Sequence, residues 1–219
     1  MSRLCLLWRS SVGKKVVMAA SGIVMILFLV FHVAANLLVY GGPSAINGLA
    51  NVLDARTELL TVARLVLLVT IVLHVVAAIQ LLAIDRAGRP IGYAKRKPQV
   101  ATLAGLTMRW SGLLLGLFIV FHVLHLTTGT VQPMPFHAAD VYGNVVGGFR
   151  IGWVAALYLV AVAALGLHVY HGWWASFRTL GLSRRSPAPR RRPFALLLAL
   201  AFWLAFSSIP IAALVGILK

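Results

Sequence analysis

Residues 28–33 read FLVFHV and residues 118–123 read FIVFHV, one motif set twice, 90 positions apart, inside long uncharged runs. A second motif repeats in the same manner, Leu73-His74-Val75 returning as Leu167-His168-Val169. Around these histidines the chain is far too apolar for a soluble protein. Hydrophobic residues make up 61% of its 219 positions and the mean hydropathy is +0.93, whereas soluble domains hold roughly 45–50% apolar residues. A bilayer span needs about 20 apolar residues at 1.5 Å of rise each. Five runs meet that length: Val16–Tyr40, Leu65–Ile84, Leu106–Thr128, Ile151–Phe177 and Phe194–Ile217. The sequence therefore predicts an all-α integral membrane protein, residues 1–219 forming one domain of five transmembrane helices, with one repeated histidine on each of the first four.

The charge pattern orients this bundle. With the N-terminus on the cytoplasmic side, sixteen of the twenty basic residues fall inside: Arg3, Arg9, Lys14 and Lys15, then Arg86, Arg89, Lys95, Arg96, Lys97 and Arg109, then Arg178, Arg184, Arg185, Arg190, Arg191 and Arg192. Arg56, Arg64, Arg150 and Lys219 are left outside. This asymmetry is the positive-inside pattern. Topology and contact with anionic lipid account for the net charge of +16 without nucleic acid. The sole cysteine, Cys5, excludes intrachain disulfides, thiolate zinc sites and iron–sulfur clusters. The LCLLW stretch at residues 4–8 is too short for a signal-peptide core and reads as an amphipathic surface segment.

Between the spans, GGPSAINGLANVLDARTE (residues 41–58) predicts an outer turn followed by a short helix. The outer loop TGTVQPMPFHAADVYGN (residues 128–144) is long enough to fold over that end of the bundle, while DRAGRPIGYAKRKPQ and SRRSPAPRRRP are basic inner linkers. Pro210, inside the last run, predicts a kink or local unwinding.

A histidine in hydrocarbon needs a partner for its ring nitrogens, and a single one is commonly satisfied by an interhelical hydrogen bond. Four, one per helix, ask for more. His74 lies twelve residues from Arg86 and His168 ten from Arg178, roughly 18 and 15 Å above the inner charges. His32 is seventeen residues from Lys15 and His122 thirteen from Arg109, roughly 26 and 20 Å. His74 and His168 thus form an inner level, His32 and His122 an outer one. Two facing imidazoles at each of two depths is the arrangement of two stacked bis-histidine haems b. Zinc needs three or four ligands converging on one point, and di-iron bundles need carboxylates, of which Asp54, Glu58, Asp85 and Asp140 are the only ones, none mid-helix. Haem brings four ring nitrogens of its own. Ala34, Ala35, Ala77, Ala78, Gly116, Gly166 and Gly172 offer small side chains for its approach. For its propionates the candidates are Arg178, Arg109 and the Ser10-Ser11 pair at the inner level and Arg64 at the outer. His125 and His171, three residues after ligands, are candidate second ligands, quinone contacts or hydrogen-bond donors, and His137 belongs to a solvated loop. The six tryptophans lie mostly near helix ends, as an interfacial belt would have them.

Several blocks in order, SSVGKKVVMAASG into FHVAANL, ANVLDARTEL, LHVVAAIQL, MRWSG with FHVLHLTTG, and LHVYHGWWASFRTLGL, resemble the five-helix dihaem cytochrome b subunit of succinate:quinone oxidoreductases and fumarate reductases over nearly the whole chain. The resemblance implies that His74 and His168 hold the haem nearer an iron–sulfur subunit and that His32 and His122 hold the distal one. It also implies two partners on the basic face: a flavoprotein with covalent FAD that oxidises succinate, and an iron–sulfur protein that passes on its electrons. The acceptor so implied is a quinone, menaquinone by type, bound towards the outer face, which directs attention to Asp54, Glu58 and His125. Proton delivery to such a site calls for an acid or a histidine. The implied location is the cell membrane of a prokaryote. One departure stands out: some dihaem relatives carry a glutamate two residues before the ligand on the fourth helix, and here that residue is Gly166. The alternative reading is a self-standing transmembrane dihaem cytochrome that moves electrons between small reductants, although that type usually has six helices. A non-redox bundle would carry no haem.

Overall fold

The computed structural model describes residues 8–88, 103–182 and 193–219; Arg3, Cys5 and the basic linkers at 89–102 and 183–192 lie outside the described residues. Among the described residues the chain is all-helical. Five helices are long and apolar enough to cross a membrane, and two short ones cap one end.

The first spanning helix, α1 (Ser11–Leu37), begins where Ser10 Oγ accepts the Gly13 N–H at 2.9 Å, a Ser N-cap. It starts before Val16 because Lys14 and Lys15 are helical: charge ends the apolar span but not the helix. A 3₁₀ turn, Leu38–Gly41, follows, and Gly42, with φ of +83°, reverses the chain into α2 (Pro43–Asp54), which has proline at its start. The second spanning helix, α3, runs Thr57–Ala87, eight residues earlier than the apolar run at Leu65, so Glu58 and Arg64 are helical. Its 31 residues measure about 46 Å, against roughly 30 Å of hydrocarbon, so its polar ends project beyond the apolar layer. Then come α4 (Leu103–Leu126), the short α5 (Val141–Phe149), α6 (Gly152–Thr179) and α7 (Pro193–Leu214). Pro210 lies inside α7, and the helix continues four residues past it without unwinding.

The helices pack in the order α3–α1–α6–α4, with α7 laid against α6 and α1. These four make three sides of a square: α1 and α4 stand at one pair of opposite corners, α3 and α6 at the other. Among the described residues no comparable interface closes the side between α3 and α4. Little of any span is buried within the chain, and Leu27, Leu68, Leu117 and Leu197 are among the many exposed apolar residues, as a lipid-facing bundle requires. Gly166 sits where α6 meets α7: a Cβ there would stand 3.7 Å from both Ala199 O and Trp203 Cβ. Gly166 thus lies in the α6–α7 interface, where a Cβ would make ordinary contact.

The core is concentrated at the end away from the N-terminus. Val39, Ile46, Val145, Val146, Phe149, Val154, Tyr158, Ile209 and Ala213 form one buried cluster drawn from α2, α5, α6 and α7. The long outer loop thus folds over this end, as expected, and does so through α5. Asp140 Oδ1 caps α5 by accepting the Gly143 N–H and also accepts from Asn47 Nδ2 on α2; Asn47 Oδ1 accepts the Tyr142 N–H at 2.9 Å. Asn47 thereby staples the two outer loops together. Asn144 bonds both ways to the His137 backbone, and Arg150 reaches the Leu218 carbonyl. Below, this end is called the capped end and the other the basic end.

Candidate functional site

The two diagonals of the square carry the histidines. His74 on α3 faces His168 on α6 with ring centres 6.3 Å apart, and His32 on α1 faces His122 on α4 at 5.9 Å. The four residues pair as their depths predicted. A metal–imidazole bond of about 2.0 Å on each side, with about 1.1 Å more to each ring centre, separates two axial imidazoles by roughly 6.2 Å. Both diagonals match that separation. Among the described residues no three His, Cys, Asp or Glu side chains converge, so a metal at either pair has two protein ligands. A group that brings its own equatorial nitrogens suits such a donor set.

For His74 of the basic-end pair the unprotonated nitrogen is dictated by the surroundings. His74 Nδ1 lies 3.1 Å from the Met18 carbonyl, an acceptor only, so that nitrogen must carry the proton. Ser21 Oγ is also 3.1 Å away, but its own proton goes to the Val17 carbonyl at 2.7 Å, leaving its lone pairs to the imidazole. His168 Nδ1 is held by Ser111 Oγ at 3.2 Å, and the Ser111 hydroxyl also reaches the Met108 carbonyl at 3.1 Å. His74 therefore keeps Nδ1–H and presents a bare Nε2, the form that ligates a metal; with a metal on its own Nε2, His168 would do the same, Ser111 Oγ accepting its Nδ1–H. Beside each ring is a glycine: a Cβ on Gly22 would lie 3.4 Å from His74 Cε1, and one on Gly112 3.5 Å from His168 Cε1. Ser176 Oγ borders the same space beside Gly22.

These supporting residues escaped the sequence reading although a signal for them exists. The 90-residue offset of the FHV motifs also relates Met18, Ser21 and Gly22 to Met108, Ser111 and Gly112. The two hairpins, α1–α3 and α4–α6, thus repeat a ligand together with its cradle. From Gly22 to His32, and from Gly112 to His122, there are ten helical residues, so the two levels stand about 15 Å apart along the bundle.

The capped-end pair is held differently. Phe28 stacks on His32 at 5.2 Å and Phe206 leans on it from α7. His122 Nδ1 instead meets the Tyr158 hydroxyl at 3.1 Å, and Phe118 packs beside its ring. That hydroxyl is shared with His125 Nδ1 at 3.0 Å. His125 is 0% exposed, sealed beneath α5 between Phe121 and Gly148. It is therefore not available to a quinone, and the structure does not bring it together with Asp54 and Glu58, which are exposed at the corner between α2 and α3. His137 is exposed, and His171 packs edge-on to Trp174.

The propionate candidates separate likewise. Arg109 stands 4.0 Å from Asp85, both exposed, in an ion pair between α4 and α3 at the basic end. Arg178 lies over the Trp174 ring at 4.5 Å. Ser10 is committed to the α1 cap, Ser11 is exposed in the first turn, and Arg64 is exposed on α3 near the capped end. Lys14, buried beside them, donates to the Trp8 carbonyl at 2.6 Å.

Comparisons of the chain with protein-family models, with curated proteins and with solved structures return no match.

Proposed function

We propose that this chain is the dihaem cytochrome b subunit that anchors a succinate:quinone oxidoreductase in the membrane and conducts its electrons to a quinone. The observation that carries the reading is the geometry of the two diagonals, with histidine rings 6.3 and 5.9 Å apart at two levels. His74 and His168 hold the haem at the basic end, and His32 and His122 hold the one at the capped end. Haem, when bound, supplies one-electron redox chemistry at its iron. The chain's own residues fix what surrounds it: Met18, Ser21 and Ser111 orient the basic-end ligands, Gly22 and Gly112 leave their flanks clear, and Phe28, Phe118 and Phe206 wall the other pair in apolar rings.

The blocks resembling the dihaem anchor family supply the rest of the proposal. An iron–sulfur protein docks at the basic end, with a flavoprotein carrying FAD behind it and the succinate chemistry on that partner. The basic end faces the cytoplasm of a prokaryotic cell. The quinone, of menaquinone type, approaches the capped end, where Asp54 and Glu58 are the exposed acids. Gly166, turned to α7, offers no carboxylate for carrying protons along α6.

The test is a pyridine haemochrome measurement on the purified chain, scaled to protein mass and repeated for His32→Ala and His74→Ala. Two haems b per chain are expected, each substitution removing a spectroscopically distinct one. Well-folded protein without haem would overturn the reading. Pull-down of the native protein should then recover an iron–sulfur protein and a flavoprotein, whereas a self-standing cytochrome would come alone.

A further inference from the structure

At the capped end, two side chains beyond the ligands are joined in a way that the electron path does not require. Tyr158 Oη lies 3.1 Å from His122 Nδ1 and 3.0 Å from His125 Nδ1, yet a phenol has one proton to donate. With iron on His122 Nε2, its Nδ1 carries hydrogen and donates to the phenol oxygen. The phenol proton is then free for His125 Nδ1, an arrangement that places the His125 proton on Nε2. That Nε2–H is buried and has no protein acceptor. Gln132 Nε2 donates to the Asn144 carbonyl at 2.9 Å, which fixes the amide orientation and leaves Oε1 buried without a donor. Both side chains abut Gly148: a Cβ there would stand 3.0 Å from His125 Nε2 and 3.4 Å from Gln132 Nε2.

The geometry points to a directed hydrogen-bond chain, His122 to Tyr158 to His125, in which Tyr158 positions the capped-end iron ligand. The chain serves one ligand only. Ninety residues before His125 stands Ala35, and 94 before Tyr158, the offset of the LHV histidines, stands Arg64, so the first hairpin cannot make it for His32. The two axial ligands of that haem are thus unlike: His122 is tied through polar groups to the cap, while His32 is held by aromatic packing.

The proposal rests on iron at His122, and its test reads the two haems separately. Tyr158→Phe keeps the ring that packs on Phe118 and Phe149 and removes only the hydroxyl. An acceptor on Nδ1–H makes imidazole a stronger donor and so favours the ferric state. Its loss should raise the reduced-to-oxidised ratio of the capped-end haem about threefold at fixed potential, about 28 mV at 59 mV per tenfold for one electron. The low-spin electron paramagnetic resonance signal of that haem should move as well, with the other haem unchanged. Gly148→Ala, whose methyl would press on the His125 ring at 3.0 Å, should shift the same haem in the same sense by less. If Tyr158→Phe leaves both signals in place, or moves both alike, the link to His122 is wrong. An unshifted Gly148→Ala removes His125 from the chain. Parent protein without haem defeats the function itself instead.

Discussion

Removing one hydroxyl on α4 should loosen the basic-end haem more than removing its repeat partner on α1. Ser111 Oγ, at 3.2 Å, is the hydrogen-bond acceptor found for His168 Nδ1–H. Ser111→Ala leaves that proton unpaired in a half-buried setting, a cost of about 1–3 kcal/mol, or roughly 5- to 150-fold in retention of the ligand geometry. Loss of comparable supporting bonds weakens metal sites by about 10- to 100-fold. Ser21→Ala removes an acceptor at 3.1 Å from His74 Nδ1 but leaves the Met18 carbonyl, also at 3.1 Å. One modest bond of about 0.5–1 kcal/mol is lost there, two- to fivefold. The assay is the reduced-minus-oxidised spectrum at low temperature, which resolves the two haem bands, followed through a denaturant series for the parent and both variants. The expected order of basic-end haem loss is Ser111→Ala first, Ser21→Ala next and the parent last, with the capped-end band unmoved. Equal sensitivity of the two variants would refute the argument that the carbonyl shares the load on His74.

The other predictions probe packing, capping and the cradle. Gly22→Leu drives side-chain atoms into the space beside His74 and Ser176 and should abolish the basic-end haem while sparing the other; Gly22→Ala, at a 3.4 Å contact, should be nearly silent in the same haem count. Gly166→Glu pushes a carboxylate into the α6–α7 interface against the Ala199 carbonyl, costing roughly 3 kcal/mol or more and lowering the thermal midpoint in detergent; an unchanged midpoint would remove the packing role assigned to Gly166. Asp140→Ala should cost about 1 kcal/mol and speed amide exchange across Val141–Phe149, whereas Asp140→Asn, also a good N-cap, should exchange much like the parent. The Gly143 N–H, the Asn47 side chain and, less so, His137 hold the Asp140 carboxyl below the usual carboxylate range. A lowered folded value means the contribution of Asp140 is complete above the unfolded value and is lost as pH falls through the folded one. The cap should therefore exchange at a constant intrinsic-corrected rate across neutral pH and loosen only in acid below the ordinary carboxylate range.

The spans were legible because hydrocarbon demands one property, sustained apolarity, and the chain shows it five times. Their ends were less so: Thr57–Leu65 is helical although Glu58 and Arg64 interrupt its apolar run, since a helix outlasts the layer it crosses. The histidine pairs were legible from depth alone, because rise per residue converts sequence spacing into height. Which residues support those rings was not. Ser21 and Ser111 bond to their own helix backbone, the ordinary behaviour of a membrane serine, and nothing local distinguishes one that also faces an imidazole. Tyr158 meets His122 and His125 from another helix, 36 and 33 residues on, a relation that no motif spacing encodes. Helix α5, VYGNVVGGF, carries three glycines and has low intrinsic helix propensity; it is held by Asp140, Asn47 and the apolar cluster beneath it. His125, a candidate second ligand, quinone contact or hydrogen-bond donor, lies sealed under that helix with its Nδ1 against the Tyr158 hydroxyl.

The 15 Å between the two levels also has an electrical meaning. Half of a hydrocarbon layer about 30 Å thick separates them, so a charge passed from one pair to the other traverses about half of the membrane voltage. At 2.3 kcal/mol per elementary charge per 100 mV, that displacement is worth about 1.2 kcal/mol for each 100 mV, roughly sevenfold in the distribution of an electron between the levels. A negative interior would drive the electron toward the capped end, and a collapsed potential would release it. Under the proposed function, with the basic end inside, the spacing of the two pairs would make electron transfer between them sensitive to the membrane voltage.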